Sequence, residues 1–565
     1  MANGSNFTSV EFSPTLGWWD GPPSKAPLGS ITSGMNFWVR QGRLMPRHPI
    51  NTLGSNYTPL GIGPTNILGA ATYIASTWSV AGTPVATPSN VVVPFVFSTA
   101  TASYFTGSAW TALGSGYSLT GPGHVWGVSI YHPPTDDNIF IYGTRTAHPS
   151  VWSGILSADR TVRSLSAAPF GAQDAVAHDH RVLLWNVRPA GSGTTRATTR
   201  LAWSAFNNAL DWTGPGAGQY DLTDMRGTGT RCFVWGNEVV LATTGELWRA
   251  TPNGRGAYDF SPIDRTHGMP YLKAATWTPE GIFWLGADLM IYRYAGQSVE
   301  PVGGQILHTL RSQINPARVD AGDDAFGTQP RLGWHDIGRH LLLFYVDSAH
   351  GNAVKTFAYS LDDKIWTPQV YRDIATNALP VLFTRTSNVS TADRTGSLNL
   401  LLSNGTVATH YPTAALDLSN SGVYPTDFGS LNSMLAEFPI FTGEPTMMKF
   451  ANEVRFGVQA TDSVSDAYYL VTLLENTQDS PASSRRSIYA GALYAHAMNE
   501  AQIYAPVAGV TGNSLVLRFE LSGALSGIPL VQPTCTHAIT NMYVGGRYAG
   551  RAVGRRQSST GASLP

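Results

Sequence analysis

Six carboxylates stand among the strand-forming segments of this 565-residue chain and have the chemistry for acid–base work on a sugar. They are Asp136, Asp137, Asp211, Asp221, Asp224 and Glu246. Glycosidases need two carboxyl groups that flank one glycosidic bond, and the sequence pairs none of these six. Residues 360–366, SLDDKIW, partly match the sialidase turn S-x-D-x-G-x-x-W, but they lack its glycine and are one residue short. That turn is structural, so we predict no catalytic residue and no enzyme activity.

The patterns for metals and nucleotides are incomplete. His178 and His180 are predicted to share one face of a strand, but no third ligand stands at a zinc-site spacing, which favours a satisfied surface pair. Three aspartates lie close to glycines without the ligand order of an EF-hand, which favours a solvated loop. These are Asp320, Asp323 and Asp324. Residues 61–70, GIGPTNILGA, lack the lysine and the helical pattern of a phosphate-binding loop. We therefore predict no metal and no cofactor.

Charge and cysteine content limit the compartment and the partners. The formal net charge of −1 and an isoelectric pH near 6.9 give no overall attraction to nucleic acid or anionic lipid. Cys232 and Cys535 have no metal-site spacing, and two buried free thiols are favoured over one disulfide. The N-terminus shows no signal-peptide pattern, and no apolar run reaches the ~18 residues that span a bilayer. A cytosol-like compartment is expected.

The elements that must position these residues are predicted to be short strands. Charged residues are only 13% of the chain, while 58 glycines and 36 prolines supply turns and aromatic residues reach 11%. Several segments place two apolar runs on either side of a turn of Gly, Pro, Asn or Asp, which predicts hairpins. The predicted turns are 133–138, 236–237, 244–245, 279–281 and 286–288, and 331–347 with 355–368 repeat the pattern.

Tryptophans recur through these hairpins at roughly 35 to 50 residues, within the range of four-stranded propeller blades. They are Trp203, Trp248, Trp284 and Trp334. Such tryptophans are more often core residues than sugar-binding shelves. An irregular β-propeller of short four-stranded blades is favoured over a large β-sandwich, because a closed ring leaves few long free edges.

The pattern changes toward the C-terminus, where longer strands predict a smaller β-sandwich-like domain. The predicted divisions are an N-terminal segment, 1–50, that packs with the C-terminal domain, a propeller, 51–425, a β-sandwich-like platform domain, 426–545, and a flexible basic tail, 546–565. Residues 305–314, QILHTLRSQI, have a helical apolar face, and 431–438, LNSMLAEF, are predicted as a second short helix.

One stretch, 183–224, carries a family resemblance. It has a strand that ends in Trp203-Ser204, a short loop to Asp211-Trp212 and an Asp-rich segment, and a glycine-rich turn and two hairpins follow. This order resembles the tail nozzle, or tail tubular protein B, type of protein from short-tailed phages. The resemblance extends over 35–304 and includes MNFWVRQGRLMPRHPI, where PRHP replaces the family's Arg-Pro-Gly.

The resemblance implies a structural virion protein. Its members form a ring, typically of six subunits, below an adaptor ring, and the genome leaves through the ring's channel. We therefore expect a homohexamer that contacts a tail adaptor protein and tail fibre or spike proteins, with genomic DNA passing non-specifically. A nearly neutral chain suits that role because a strongly basic wall would retain the phosphates. The alternative is a glycan-binding or sialidase-like propeller.

Overall fold

The computed structural model describes most of 162–384 and shorter segments elsewhere. The described residues are 8–12, 16–21, 26–40, 42–47, 50–52, 67–75, 91–105, 110–113, 119, 124–133, 137–153, 162–188, 198–319, 325–336, 338–371, 374, 378–384, 398–403, 405–410, 426–427, 430–431, 434–440, 447–459, 467–475, 486–495, 501–512, 515–521 and 538–551. Two compact units are formed, one by 48–420 with 425–431 and the other by 1–47, 421–424 and 432–565.

Within its described residues, the larger unit contains six antiparallel four-stranded sheets that follow one another along the chain, here called blades 1 to 6. Blade 1 is β6 (Ile67–Ala75), β7 (Val91–Ser98), β8 (Ala102–Phe105) and β9 (Trp110–Ala112). Blade 2 is β10 (Trp126–His132), β11 (Asp137–Gly143), β12 (Ser150–Trp152) and β13 (Val162–Ser164). Blade 3 is β14 (Asp174–His178), β15 (Arg181–Trp185), β16 (Arg200–Trp203) and β17 (Gly218–Asp221).

Blades 4 to 6 have the same order of strands. Blade 4 is β18 (Gly229–Trp235), β19 (Glu238–Thr243), β20 (Leu247–Pro252) and β21 (Tyr258–Asp264). Blade 5 is β22 (Ala275–Thr278), β23 (Gly281–Leu285), β24 (Ile291–Tyr294) and β25 (Val299–Pro301). Blade 6 is β26 (Arg331–His335), β27 (His340–Asp347), β28 (Ala353–Ser360) and β29 (Ile365–Gln369). The predicted turns at 236–237, 244–245 and 286–288 fall between these strands, and those at 133–138 and 279–281 overlap the first residues of β11 and β23, so the hairpin predictions are confirmed within one or two residues.

Blade 7 joins the two ends of the larger unit. Its first three strands are β30 (Val381–Thr384), β31 (Leu398–Leu401) and β32 (Val407–His410), and its fourth is β5 (Ile50–Thr52), which precedes blade 1 in the chain. β5 pairs antiparallel with β32, with Ala408 opposite Thr52 and His410 opposite Ile50. A short hairpin, β33 (Thr426–Asp427) and β34 (Ser430–Leu431), extends this sheet.

The blades close into a ring. The first strand of each blade contacts the next blade, and β30 contacts β6, which returns the series to its start. The chain is therefore all-β and contains a β-propeller, as predicted. Neighbouring blades cover both faces of each sheet, so the middle strands are continuous apolar runs, such as the wholly buried β23 and β27. The outermost strands differ in exposure, since β17 is largely exposed whereas β29 is mostly buried.

The repeating core residue is an aromatic side chain in the third strand of each of blades 1 to 6. These residues are all buried and are Tyr104, Trp152, Trp203, Trp248, Tyr292 and Tyr359. The four tryptophans used for the period in the sequence occupy different places, because Trp284 lies in a second strand and Trp334 in a first strand. This mixture explains why their spacing is irregular.

One of the two predicted helices is correct. Residues Gly304–Ile306 form a 3-10 turn that leads into α1 (Leu307–Gln313), and a second 3-10 turn covers Pro316–Arg318. The second helix prediction, 431–438, is wrong. Its residues 434–438 lie in strand β35 (Met434–Ile440), which pairs with a strand on each side. Sheet pairing on both edges outweighs the helix propensity of Met, Leu, Ala and Glu.

The smaller unit contains two antiparallel sheets within the described residues. One is built from β1 (Thr8–Phe12), β3 (Phe37–Arg40), β4 (Arg43–Pro46), β36 (Met447–Gln459), β39 (Ala501–Gly512) and β41 (Ala538–Arg551). The other is built from β2 (Ser33–Met35), β35, β37 (Ala467–Glu475), β38 (Arg486–Ala495) and β40 (Leu515–Leu521). N-terminal strands thus pair with C-terminal ones, and the last strand runs on to Arg551, into the segment predicted as a tail.

Candidate functional site

The first strands of the seven blades surround a central cavity of about 1010 Å³. Much of its wall consists of small side chains, which leave the interior open. These include Gly69, Ala70, Ala71, Thr72, Gly127, Ser129, Ala175, Ala177, Thr276 and Gly333. The strands also bring charged side chains and tryptophans to the wall, so the cavity is the strongest candidate for a site in the described part of the chain.

The cavity is long and narrow. Along β6 its wall runs from Leu68 to Ile74, a rise of about 20 Å. If the cavity is treated as a cylinder of that length, a volume of about 1010 Å³ corresponds to a bore of roughly 10 Å. The major groove of B-DNA alone is about 12 Å wide, so a DNA duplex does not fit through this cavity.

Four polar residues meet in this wall, His124, Asp174, Arg231 and Lys273, here called the polar cluster. His124 leads into β10, Asp174 begins β14, and Arg231 lies near the start of β18, so the cluster joins blades 2, 3 and 4. The Asp174 carboxylate accepts from the backbone N–H of Cys232 at 3.0 Å and pairs with Arg231 Nε at 3.0 Å. Arg231 Nη1 lies 3.1 Å from His124 Nε2, and the guanidinium covers the Phe233 ring.

Burial and charge set the protonation states of the cluster. Burial alone would raise the pKa of Asp174, but Arg231, His124 and the Cys232 amide together hold that pKa below its ordinary value. Burial lowers the pKa of His124, which is therefore neutral near pH 7. Burial and the Asp174 charge raise the pKa of the Cys232 thiol well above its usual range. The cluster thus holds an ionised carboxylate and a neutral imidazole, and the adjacent Cys232 thiol is unreactive.

Aromatic side chains line the cavity beyond the polar cluster. Trp235 is the last residue of β18, and Trp277 lies in β22 and is 41% exposed. Because Trp277 both lines the cavity and is exposed, this part of the cavity opens to solvent. Trp235 packs against the core between blades 4 and 5, so Trp277 is the indole ring at this opening.

Three of the six carboxylates singled out in the sequence, Asp211, Asp221 and Glu246, have local structural roles. Asp211 accepts from the N–H groups of Thr213 at 3.0 Å and Gly214 at 2.8 Å, which fixes a turn. Asp221 pairs with Arg200 across β16 and β17. The buried Glu246 accepts from Trp248 Nε1 at 2.9 Å, and Asp224 is exposed. Asp136 and the side chain of Asp137 lie outside the described residues.

The prediction for the histidine pair is wrong in its geometry. β14 ends at His178, and Asp179 and His180 form the following turn with positive φ angles. Asp and His tolerate the left-handed region there, so His180 no longer shares a strand face with His178. His178 is buried with its Nδ1 3.5 Å from the Tyr258 hydroxyl, and His180 contacts the Phe206 ring. Among the described residues no group of three or more His, Cys, Asp or Glu is placed to hold a metal ion.

Other predictions fall partly or wholly outside the described residues. Cys232 is buried and free, as predicted, whereas Cys535 is not described. The aspartates at 320, 323 and 324 and residues 61–66 are also not described, and β6 begins at Ile67 where a phosphate-binding loop would need a helix. Ser360 and Asp363 of the Asp-box-like segment bond to each other at 2.9 Å within the turn between β28 and β29, a structural arrangement.

The polar cluster was not predicted from the sequence. His124, Asp174, Arg231 and Lys273 share no short motif, and they come together because each lies near the start of the first strand of its blade. A complete division of the sequence into blades would have shown that common position. The aromatic residues of the third strands would have given that division if tyrosine had been counted with tryptophan.

Comparisons with known proteins add little to this picture. No family model matches the chain, and no curated protein matches its sequence. Among solved structures, the chain is similar to "YCF48 bound to D1 peptide", with 8% identity and a TM-score of 0.35, over 64% of this chain and 96% of that one. It is also similar to the "WD40 beta propeller domain of Doa1", with 7% identity, a TM-score of 0.36 and the same shares. No described helix is long and apolar enough to cross a membrane.

Proposed function

We propose that this protein is a non-enzymatic structural component of a phage tail, of the tail nozzle type. The observation that carries the proposal is where the resembling segments fall. The stretch from 183 to 304 begins within the second strand of blade 3 and includes all the strands of blades 4 and 5. The resemblance in the order of turns and strands therefore covers two whole blades and most of a third.

The dimensions of the central cavity constrain how such a protein would conduct a genome. The cavity volume of about 1010 Å³ is too small to hold a segment of duplex DNA, so we infer that the duplex does not pass through a single propeller. The genome path in the proposed role lies between subunits, which requires a ring whose members surround a wider opening. The near-neutral chain, with a net charge of −1, suits a wall past which a polyanion slides.

In the proposed ring, each of the two units has a separate role. We propose that the propellers surround the channel of a homohexameric ring and that the smaller β unit serves as a platform for a tail adaptor protein and for fibre or spike proteins. Assembly would take place in the host cytoplasm, and the finished protein would reside in the virion. Burial between subunits would then stabilise a chain whose one described cysteine is free.

The test is the assembly state of the full-length chain. Purified protein examined by light scattering and negative-stain electron microscopy should form closed rings, with six subunits expected and an opening wide enough for duplex DNA. Protein that stays monomeric at every concentration, including in the presence of virion extracts, would contradict the proposal. A fluorogenic glycoside panel tests the enzyme alternative, and turnover abolished by changing Asp211, Asp221 or Glu246 would replace the structural role.

A further inference from the structure

A buried arginine at one end of blade 3 forms no ion pair among the described residues. Arg181 begins β15, directly after the tight turn that joins β14 to β15, and it is only 4% exposed. Its Nη1 donates to the Gly256 carbonyl of blade 4 at 2.7 Å, and its Cζ lies 5.6 Å from the centre of the Phe206 ring. Asp179 of the same turn is exposed and is not paired with it. A buried charge without a partner is unfavourable, and a carboxylate that binds to it relieves that cost.

The unused edge of this guanidinium is the edge with which other arginines of the chain bind acceptors. Nε and Nη2 of Arg200 both donate to the Asp221 carboxylate, and the same two atoms of Arg293 donate to the Glu280 carbonyl at 2.9 and 2.8 Å. In Arg181 neither Nε nor Nη2 has an acceptor within the described part of the chain, because its hydrogen bond to Gly256 uses Nη1. A planar pair of N–H donors at this edge matches the geometry of a carboxylate.

Two glycines leave the Nη2 atom of Arg181 open. Nε is enclosed by protein atoms, whereas Nη2 is not. A Cβ atom at Gly216 would lie 3.9 Å from Nη2 and one at Gly256 would lie 3.8 Å from it, so a longer side chain at either position would cover it. The φ angles of these residues, +85° and +84°, also favour glycine. Gly216 lies in the loop between β16 and β17, and Gly256 lies in the turn between β20 and β21, so the opening at Nη2 lies between blades 3 and 4.

Exposed side chains surround this opening. Phe206 is 47% exposed, and the His180 ring stands against its edge with 5.5 Å between the ring centres. Asn207 is also exposed, and its backbone N–H donates to the His180 carbonyl at 3.1 Å. Arg255, next to Gly256, is exposed and forms no ion pair with any described carboxylate. The opening therefore presents an aromatic ring, an amide and a second cation to solvent.

This arrangement suits a protein partner better than a small molecule. Small ligands bind in concave pockets that bury most of their surface. Here the aromatic ring and the amide project into solvent, and only the buried guanidinium is recessed between loops. Arginine and aromatic side chains that lie together are typical of the residues that contribute most to the affinity of a protein interface. The recessed cation selects an acidic side chain, and the exposed ring selects an apolar neighbour.

We propose that this end of blades 3 and 4 binds an acidic segment of a protein partner. An Asp or Glu carboxylate of the partner accepts from Nη2 of Arg181, and an apolar side chain next to that residue packs on Phe206. Arg255 adds a second positive charge at the edge of the site. Stacking on Phe206 already holds the Arg181 guanidinium, so little side-chain freedom is lost on binding. The site does not depend on the tail role, because all of its residues belong to one propeller.

The test begins with selection of random short peptides against the immobilised full-length protein. Recovered peptides should carry Asp or Glu beside an aromatic or aliphatic residue. Each is then synthesised in two forms, one with that Asp or Glu and one with Asn or Gln in its place, and both forms are titrated calorimetrically. We expect the amide form to bind at least tenfold more weakly, and binding of the acidic form should weaken as salt rises. Both forms are compared on the unmodified protein, so the result does not depend on whether a variant folds.

Two variants and one matched control locate the site. Arg181→Gln removes the buried cation and Phe206→Ala removes the exposed ring, so each should weaken binding of the acidic peptide at least tenfold. Because Phe206 is exposed, its replacement should leave the fold intact even if Arg181→Gln destabilises blade 3. Arg318→Gln changes an exposed arginine between blades 5 and 6 that also donates to a backbone carbonyl, that of Ser348, and it should change the affinity less than twofold. Circular dichroism and thermal midpoints confirm that each variant is folded.

Four other results would overturn the proposal. Selection that recovers no acidic peptides, or equal binding of the acidic and amide forms, would exclude an acidic partner. Unchanged affinity in either folded variant would place the peptide elsewhere. Inorganic phosphate that binds as tightly as the selected peptide would reduce the site to one for simple anions. Loss of ring formation in Phe206→Ala without any peptide binding would assign this surface to contacts between copies of the chain. Peptide binding by a chain that stays monomeric would contradict the ring alone, so the two failures are distinguishable.

Discussion

Asp174 joins three blades through one carboxylate. It begins the first strand of blade 3, pairs with Arg231 and the Cys232 amide of blade 4, and lies 3.9 Å from His124, which leads into blade 2. Its pKa is held below the ordinary value despite burial, so the group is ionised at any pH near neutral. A charge in this position is stabilising only while its partners remain.

We expect Asp174→Asn to destabilise the propeller by about 3 kcal/mol, because it leaves the largely buried Arg231 charge without its partner. Urea unfolding followed by tryptophan fluorescence gives the free energy of unfolding. The double variant Asp174→Asn with Arg231→Met should recover part of the loss, since it removes the stranded charge as well. A loss below about 0.5 kcal/mol, which is the usual range for surface substitutions, would mean that the Asp174–Arg231 pair does not stabilise the contact between its two blades.

His124 gives the propeller a pH dependence with a definite sign. Burial lowers its pKa in the folded chain below 6.5, so the unfolded chain takes up a proton first as the pH falls. The stabilising contribution is therefore present above about pH 6.5 and is lost as the pH falls through the folded-state pKa, by at most about 1.4 kcal/mol per pH unit. His132 and His178, whose pKa values burial also lowers, act in the same direction.

The His124→Gln variant should lose less stability than the unmodified chain between pH 7 and pH 5. Unfolding free energies measured at half-unit steps of pH provide the comparison. His308→Gln, which changes an exposed histidine of α1, is the matched control for the loss of one imidazole. Parallel slopes for the unmodified chain and His124→Gln would show that the pKa of His124 is the same in the folded and the unfolded chain.

At the scale of elements, we expect β5, the strand that closes the ring, to have the largest effect on stability. It is only three residues long, yet it completes blade 7, and its Ile50 side chain is fully buried. Ile50→Ala should lower the free energy of unfolding by about 3 kcal/mol and Ile50→Val by about 1 kcal/mol. Chemical denaturation measures both changes. Equal stabilities for the three proteins would indicate that β5 does not hold the ring closed.

The elements were predictable where local sequence decides them. Hairpins such as those at 236–237 and 244–245 were correct because turn residues interrupt apolar runs. Residues 434–438 were wrongly assigned to a helix because the partners of β35, namely β2 and β40, come from distant parts of the chain. The buried Glu437 is paired with Arg518 at 2.7 Å, a contact that no local pattern contains.

The candidate site was less predictable for the same physical reason. Carboxylates with a conspicuous local setting, such as Asp211, proved to fix turns. The residues that line the cavity stand far apart in the sequence, from Leu68 to Leu398, and only closure of the ring brings them together. The sequence around the aspartate at the start of β14 does not indicate that its partners come from blades 2 and 4.

At the scale of the whole molecule, the chain divides so that the propeller is nearly continuous in sequence. The larger unit holds 48–420 and 425–431, and the smaller one gathers both ends of the chain. A fragment of residues 48–431 should therefore fold alone, with a strand-rich circular dichroism spectrum and a cooperative thermal transition. A fragment of 55–431, which lacks β5, is the matched control and should be markedly less stable. A 48–431 fragment that aggregates or melts without cooperativity would contradict this.

The late position of the partner of β5 has a consequence for synthesis. β5 leaves the ribosome early, but β32, its partner, ends at His410, some 360 residues later. At the usual rates of translation, β5 waits about 20 to 70 s before its partner exists. Blades 1 to 6 can stack during that interval, while the first and last edges of the growing ring stay open to pairing with another nascent chain. Closure is thus a late step, and crowded synthesis on one messenger would favour exchange of β5 between neighbouring chains.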